Sequence, residues 1–255
     1  MTSQQPNIAL VIPCYNEEKR LRTDAFIDEL SKNSNLTFLF VNDGSKDNTL
    51  NIIKMICISN PERALHLSLE KNSGKGEAVR RGLLYLLERG IYDKIGFWDA
   101  DLAVPLTEIW NFADVYRQHP NIQVVIGSRV HLAGRLIEHV NLRHYIGRLF
   151  ATIMSWSFHF KIYDTQCGAK LFDSKVLAPV VQEPFCSKWI FDVELILRIL
   201  RLPSLNGNDK WLTRESWLYE MPVDEWKDVS GTKRSASAYI TAFFDYLTLV
   251  RKYLF

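Results

Sequence analysis

The sequence predicts an α/β fold built on a mostly parallel central sheet flanked by helices. Three observations carry that expectation. Short runs of Val, Ile, Leu and Phe alternate with amphipathic stretches through the first half of the chain. The runs are near-continuous, as in strands covered on both faces, rather than alternating as in half-exposed ones. The strand–helix unit recurs four times, a pattern that closes into parallel strands through right-handed crossovers.

The predicted strands are Ile8–Ile12, Leu36–Val41, Ala64–Leu69, Lys94–Trp98 and Val124–Ile126. Between them the apolar spacing predicts helices over Glu18–Leu30, Thr49–Ile58, Glu77–Glu88 and Glu108–Tyr116. Asp47 or Asn48 is placed to cap the second helix and Ser73 the third. After about Gly127 the pattern changes. Leu142, Tyr145, Ile146, Leu149, Phe150, Ile153 and Met154 form a helical stripe. A β-like piece (Gly168–Phe172), a helix (Phe191–Arg201) and a second strand-like piece (Trp217–Val223) follow. A terminal amphipathic helix carries Tyr239, Phe243, Tyr246, Leu247, Val250, Tyr253 and Leu254 on one face. With no internal repeat and no long linker, residues 1–255 read as one domain, whose halves are 1–128 and 129–255.

Composition bounds the function. The 255 residues carry 31 basic and 29 acidic side chains, a net +2, with 47% hydrophobic and 24% charged. That excludes a disordered or fibrous chain and gives no general argument for nucleic acid as a partner. A chain of this length buries roughly 70–75% of its unfolded surface without staples. Cys14, Cys57, Cys167 and Cys186 form no CxxC pair and read as reduced thiols in a cytosolic setting. The N-terminus MTSQQPN lacks a secretory pattern, and no apolar run approaches the ~18 residues of a membrane span. The expectation is a chain that does not cross a bilayer and is free to lie on one.

In a parallel α/β sheet, ligands bind beyond the carboxyl ends of the strands, and there the sequence becomes specific. Asp99-Ala100-Asp101 directly follows the strand Lys94–Trp98. Residues two apart in extended chain point to one side, so both carboxylates can meet one hard cation, Mg²⁺ or Mn²⁺, which would also take phosphate oxygens. Alone, the pair reads equally as a solvated turn. Three further strand ends add weight. Pro13-Cys14-Tyr15-Asn16-Glu17 offers a ring for a base, and Asn16 and Glu17 can bond a base or ribose. Asn42-Asp43-Gly44 offers Asp43 to a base N–H or ribose hydroxyl. Asn72-Ser73-Gly74-Lys75-Gly76 puts Lys75 in a glycine-flanked loop at a helix start, a site suited to an anion. It is neither a Walker A loop, because Gly follows Gly-Lys, nor the dinucleotide fingerprint, because Val79 takes the third small position. Each site has a turn or capping reading of its own; four at successive strand ends are harder to explain that way.

VIPCYNEE, VNDGSKDNT, NSGKGEAVRRGL and FWDADLAVP, in that order, resemble the family 2 glycosyltransferases. Gly127-Ser128-Arg129, Asp164-Thr165-Gln166-Cys167-Gly168-Ala169-Lys170, Trp189-Ile190-Phe191-Asp192-Val193-Glu194 and Gly231-Thr232-Lys233 resemble its dolichyl-phosphate β-glucosyltransferase branch. The resemblance spans about Ile8 to Lys233. It implies a glycosyltransferase-A fold, a nucleotide-sugar donor, a divalent metal and inversion at the sugar carbon. Pro13, Tyr15, Glu17, Asp43 and Lys75 would bind the nucleotide, Asp99 would sit near ribose or metal, and Asp101 would be the main metal ligand. Arg129 would face the diphosphate or the acceptor phosphate. Asn42, Ala103 and Ala169 depart from common family residues, and the transmembrane helices many relatives carry are missing from this sequence.

The resemblance implies transfer of a hexose, glucose from UDP-glucose, onto a polyprenyl or dolichyl phosphate. A phosphate acceptor is already ionised at neutral pH and needs no base. A hydroxyl acceptor would need one, and Asp164, Asp192 and Glu194 are the candidates. The stretch His131–Lys161 holds Arg135, Arg143, Arg148 and Lys161 against Glu138, a net +3, and four of the six histidines. A basic face beside an apolar stripe suits an anionic membrane interface, so a peripheral position on the inner face of a membrane is expected; packing of the stripe onto the core is the other reading. The rival functions are transfer to a soluble or glycan hydroxyl, a mannosyl-transferring relative using GDP-mannose, and a nucleotide-sugar-binding module without turnover, which the intact Asp99/Asp101 pair disfavours. The sequence leaves the oligomeric state open.

Overall fold

The computed structural model describes residues 5–137, 152–154, 156–158, 161–187, 190–202, 217–227 and 236–254. Its elements are β1 (Ile8–Cys14), α1 (Thr23–Lys32), β2 (Leu36–Asp43), α2 (Thr49–Ser59), β3 (Ala64–Leu69), α3 (Lys75–Arg89), β4 (Lys94–Trp98), α4 (Glu108–Gln118) and β5 (Val124–Ser128). These are followed by β6 (Leu136–Ile137), β7 (Ala169–Asp173), α5 (Ser174–Leu177), α6 (Phe191–Leu200), β8 (Leu218–Pro222), β9 (Glu225–Trp226) and α7 (Ala236–Leu254).

Seven strands form one sheet in the order β3-β2-β1-β4-β7-β5-β8, with β6 and β9 as a separate parallel pair. β1, β2, β3 and β4 run parallel, with Ile8 opposite both Leu36 and Lys94. β7 runs antiparallel between β4 and β5, with Trp98 opposite Ala169. Burial on both faces explains the continuous apolar runs of β1, β2, β4 and β5, whereas β3 (ALHLSL), at the edge of the sheet, exposes His66 and Ser68 and is covered on one face only. Ile8, Leu10, Ile12, Phe38 and Phe40 pack with α1, α2 and α4, whereas Ala9, Val11, Leu39 and Val41 pack with α3, α6 and α7.

Several expectations are corrected. The first helix starts at Thr23 rather than Glu18, because Glu17–Leu21 is a turn in which Glu17 C=O accepts from Arg20 and Leu21. Glu18 is drawn across to the second loop instead: its carboxylate accepts from Asn48 N–H and its own N–H donates to Asp47. Asn48 is the cap residue of α2 but makes no side-chain cap bond; the neighbouring Asp47 carboxylate accepts from Thr49 N–H. Ser73 does not cap α3, since Gly74 takes that position at φ 91°. The terminal stripe is split. Of its residues Tyr253 is buried, Tyr246 and Val250 are half-buried, and Phe243, Leu247 and Leu254 are exposed; Ala242 and Leu249, outside the stripe, are the residues buried with Tyr253, and Phe244 is exposed too. Of the stripe over Leu142–Met154, residues 142–151 lie outside the described residues, as do Glu138, His139, Arg143, His144, Arg148, His159 and Tyr239's side chain.

Candidate active site at the strand ends

Hydrogen bonds draw the four strand ends into one rim. Asn16 N–H donates to Ser45 Oγ at 3.1 Å, and Asn16 Oδ1 accepts from Lys46 N–H at 2.9 Å. Glu17 N–H donates to Thr49 Oγ1 at 2.7 Å. These bonds tie the end of β1 to the loop after β2. Asn16 adopts φ 54°, a left-handed conformation that Asn tolerates better than most residues.

Asp43 ties β2 to the loop before α3. Its carboxylate accepts from Ser73 N–H at 2.7 Å and Gly74 N–H at 2.9 Å. The next residue, Gly44 (φ 65°), lies so close to the Lys71–Asn72 backbone that an added Cβ would fall 2.6 Å from Asn72 N. The consequence is a fixed loop that delivers Lys75 to Asp99, Nζ to Oδ1 at 2.5 Å. Burial pulls the Lys75 ammonium down, but the Asp99 and Asp192 charges outweigh it and hold the group above its ordinary value.

The acids after β4 sit on a tight turn. Leu102 N–H donates to Asp99 C=O, and Leu102 takes φ 52°, a strained conformation for a residue with a bulky side chain. That turn lets Ala103 N–H donate to Asp101 Oδ1 at 3.1 Å. Burial and the charge of Asp99 push the Asp101 carboxyl above its ordinary value. Glu17 is held up in the same way, first by burial, with Arg20 pulling down and Asp101 and Asp99 adding to the rise. Glu17 Oε1 accepts from Arg20 at 2.6 Å, while Oε2 is buried with no partner among the described residues. Tyr15 stands 41% exposed on the rim beside half-buried Pro13.

The far side of the rim belongs to the second half of the chain. Asp99 N–H donates to Gly168 C=O at 3.0 Å. An added Cβ on Gly168 would lie 1.9 Å from Asp99 Oδ2, so only glycine lets this turn rest against the acid. Arg129 follows β5 and forks onto Asp164, Nε to Oδ2 at 2.6 Å and Nη2 to Oδ1 at 2.8 Å. Burial acts upward on Asp164, but Arg129 outweighs it and brings the carboxyl down to about 2. The folded value lies below the ordinary 3.8, so the pair's contribution to stability is whole at neutral pH. It should be lost as pH falls from about 4 towards 2, amounting to about 2 kcal/mol. Denaturant titrations at pH 7 and pH 3 should show about half of that loss in the parent chain and a smaller one in Asp164→Asn.

The structure therefore gathers Pro13, Tyr15, Glu17, Asp43, Lys75, Asp99 and Asp101 along one rim. It gives the three candidate bases partners inside the protein. Asp164 is held by Arg129, and Asp192 by buried Lys170 at 2.6 Å. Glu194 is caged by Cys186 and Ser187 N–H, Arg198, Lys252 and Tyr253. Sequence reasoning missed Arg20, Gly168 and Glu220. Arg20 had a local signal, three residues after Glu17; the other two act through long-range contacts.

The model of Glycosyl transferase family 2 matches residues 9–181. The chain is 32% identical over 247 residues to a dolichyl-phosphate beta-glucosyltransferase of Trichomonas vaginalis, covering 92% of this chain and 68% of that one. It is 28% identical to the dolichyl-phosphate beta-glucosyltransferase of Homo sapiens, with 99% and 75% covered. Among solved structures it is similar to glucosyl-3-phosphoglycerate synthase from Mycobacterium tuberculosis with phosphoglyceric acid, at TM-score 0.68 and 16% identity over 97% of this chain and 80% of that one. The same enzyme with Mn²⁺, uridine-diphosphate and glucosyl-3-phosphoglycerate matches at TM-score 0.66, 16% identity and the same coverage. At that identity the likeness is one of fold.

Proposed function

The chain belongs to glycosyl transferase family 2 and is a glycosyltransferase of the glycosyltransferase-A fold, and from that premise we propose that it moves glucose from UDP-glucose onto a dolichyl or other polyprenyl phosphate, with inversion at the sugar carbon. One observation carries the reading. Residues from four strand ends meet on one rim around two acids, while every acid the sequence offered as a base for a hydroxyl acceptor is engaged within the protein. A phosphate acceptor, ionised above a second pKa of about 6, needs no base. The names borne by the most similar relatives agree with that choice.

Asp99 and Asp101 fit a hard divalent cation, Mg²⁺ or Mn²⁺. Burial and the charge of Asp99 raise the Asp101 carboxyl even though Lys75 and Arg20 pull it down, the behaviour of two acids sharing a site with less positive charge than they can use. Asp101 and Asp99 would hold the ion, which when bound would neutralise the departing diphosphate. The remaining work falls to the chain itself. Tyr15 offers its ring to the base, and Pro13 shapes the turn behind it. Glu17 offers its unpartnered Oε2 to an N–H or hydroxyl. Asp43 fixes the loop of Lys75 and keeps lone pairs for the ribose. Lys75, paired with Asp99 here, would supply a cation to the diphosphate. Arg129, fixed by Asp164, presents positive charge to the acceptor phosphate.

The test is transfer of radiolabelled glucose from UDP-glucose, with Mn²⁺, into a short polyprenyl phosphate, read as label moving into organic solvent. GDP-mannose serves as the rival sugar donor. Label moving only from GDP-mannose, or only into a glycan, would refute the assignment.

We also infer a peripheral seat on the cytoplasmic face of a membrane. Among the described residues no helix is long and apolar enough to cross one. Trp156 is 82% exposed, and Phe243, Phe244 and Leu247 of α7 are exposed as well. The Ser157 and Tyr246 hydroxyls, 2.9 Å apart, join the segment of Trp156 to α7. Exposed aromatic side chains on the helix that also carries exposed Arg251 suit an anionic lipid interface. The chain should float with vesicles containing anionic lipid, and Phe243→Glu with Phe244→Glu should reduce the bound fraction at least several-fold. Equal flotation of the two would end this reading.

A further inference from the structure

The turn Asp164–Gly168 is clamped from every side. Glu220 accepts from Tyr163 N–H at 2.8 Å and Asp164 N–H at 2.7 Å. The Asp164 carboxylate takes Arg129 and also Gln166 N–H at 3.1 Å. Gly168 C=O takes Asp99 N–H. Within this fixed turn two polar side-chain atoms are shut off from solvent and have no partner among the described residues: Thr165 Oγ1 and Gln166 Nε2. Thr165 is fully buried. Folded proteins leave few buried polar atoms unpaired, since each forfeits its bonds to water; here the backbone is clamped and only rotation of the Gln166 side chain can bring its amide to a partner.

The sheet order says what belongs there. Along the rim the neighbours run β2, β1, β4, β7. The residues offered to base and ribose follow β1 and β2, and the acids offered to the diphosphate follow β4. Because β7 is antiparallel to β4, with Ala169 opposite Trp98, the turn that enters β7 lies at the same rim, one strand further on. A nucleotide sugar laid along the rim as base, ribose, diphosphate and sugar therefore brings its sugar to the turn 164–168. The near-contact of Gly168 with Asp99 fixes that adjacency.

We propose that Gln166 is the specificity-determining residue for the transferred sugar, donating its Nε2–H to one sugar hydroxyl, with the Thr165 hydroxyl a second unpaired group of the same turn. The inference rests on the reading of the Asp99/Asp101 rim as the diphosphate site and names the side of that site that reads the hexose. A site built around one hydroxyl discriminates strongly against a sugar that misplaces it.

The experiment uses the full chain with Mn²⁺ and two variants, Gln166→Ala and Thr165→Val. UDP binding is measured by calorimetry and kcat/KM with UDP-glucose and UDP-galactose. For Gln166→Ala, UDP affinity should stay within about 2-fold. kcat/KM for UDP-glucose should fall roughly 10- to 100-fold, and the preference for glucose over galactose should shrink by a similar factor. Thr165→Val should move the same quantities in the same direction by less. Equal losses for UDP and UDP-glucose would overturn the proposal, as would a change confined to the KM of the polyprenyl phosphate. Unchanged kinetics would also overturn it, leaving a trapped water as the partner of Nε2. Should Gln166→Ala fail to fold, Gln166→Glu keeps the shape, replaces the N–H by an acceptor and should show the same split. A parent chain that binds no UDP would sink the proposed function itself, whereas a fully active parent with an indifferent Gln166 variant sinks only this inference.

Discussion

Asp101→Ala should lower turnover at least about 1000-fold, some 4 kcal/mol of barrier, and abolish the gain in UDP affinity that Mn²⁺ provides. The argument is geometric and electrostatic. The left-handed Leu102 and the Ala103 N–H bond hold this carboxylate on the rim, beside Asp99. The structure tolerates two adjacent acids at a cost visible in the raised Asp101 carboxyl. Asp101→Asn retains the shape and can still accept from Ala103 N–H while losing the charge. It should therefore match Asp101→Ala in activity and equal or exceed the parent chain in Tm, since a repulsion is removed. Calorimetry with and without Mn²⁺, steady-state kinetics and thermal unfolding separate these effects. Turnover near the parent level in either variant would refute the assignment of this acid.

Asp192→Ala should destabilise the fold by about 3–5 kcal/mol, the usual effect of stranding one member of a buried ion pair. Lys170 is fully buried in β7, its Nζ bonded to Asp192 Oδ1 and to Cys167 C=O, each at 2.6 Å, and 5.1 Å from the centre of the Phe97 ring. Removing the carboxylate leaves a buried ammonium with the Cys167 carbonyl as its hydrogen-bond partner and no counter-charge bonded to it. Lys170→Met combined with Asp192→Leu removes both charges and should recover most of the stability. Denaturant unfolding measures the cycle, and activity of the double variant addresses the chemistry. A loss below 1 kcal/mol for Asp192→Ala would contradict the structural account. A stable double variant without turnover would return Asp192 to the reaction.

β1, β2, β4 and β5 were legible because burial on both faces leaves one message in the sequence, a run of apolar residues; β3, at the sheet edge, instead alternates between covered and exposed residues, yet it and β4 match their expected limits. Strand ends were legible too, for the chain must place polar residues where the sheet stops, and Asp43, Lys75, Asp99 and Asp101 stand there. What escaped was set by distant partners. Glu17–Leu21 has the composition of a helix start, yet Glu18 bonds to the loop after β2 and the helix waits for Thr23. Ser73 looked like a cap, but Asp43 claims its N–H and Gly74 turns the chain. The antiparallel insertion of β7 leaves no trace in local periodicity, so the contact of Gly168 with Asp99 and the grip of Glu220 on residues 163–164 were beyond any window of neighbouring residues.

That insertion has a consequence for synthesis. β5 borders only β7 and β8 in the sheet, and both come later in the chain. As the polypeptide leaves the ribosome, β1 to β4 can assemble while β5 waits, unpaired, for residues 169–173. The arrival of β7 at once gives β5 a neighbour, covers the open flank of β4 and sets Gly168 against Asp99. A nascent or truncated chain ending before that point should be incompetent for UDP and prone to self-association, because the strand that joins β5 to β4 is also the one that brings Gly168 to Asp99.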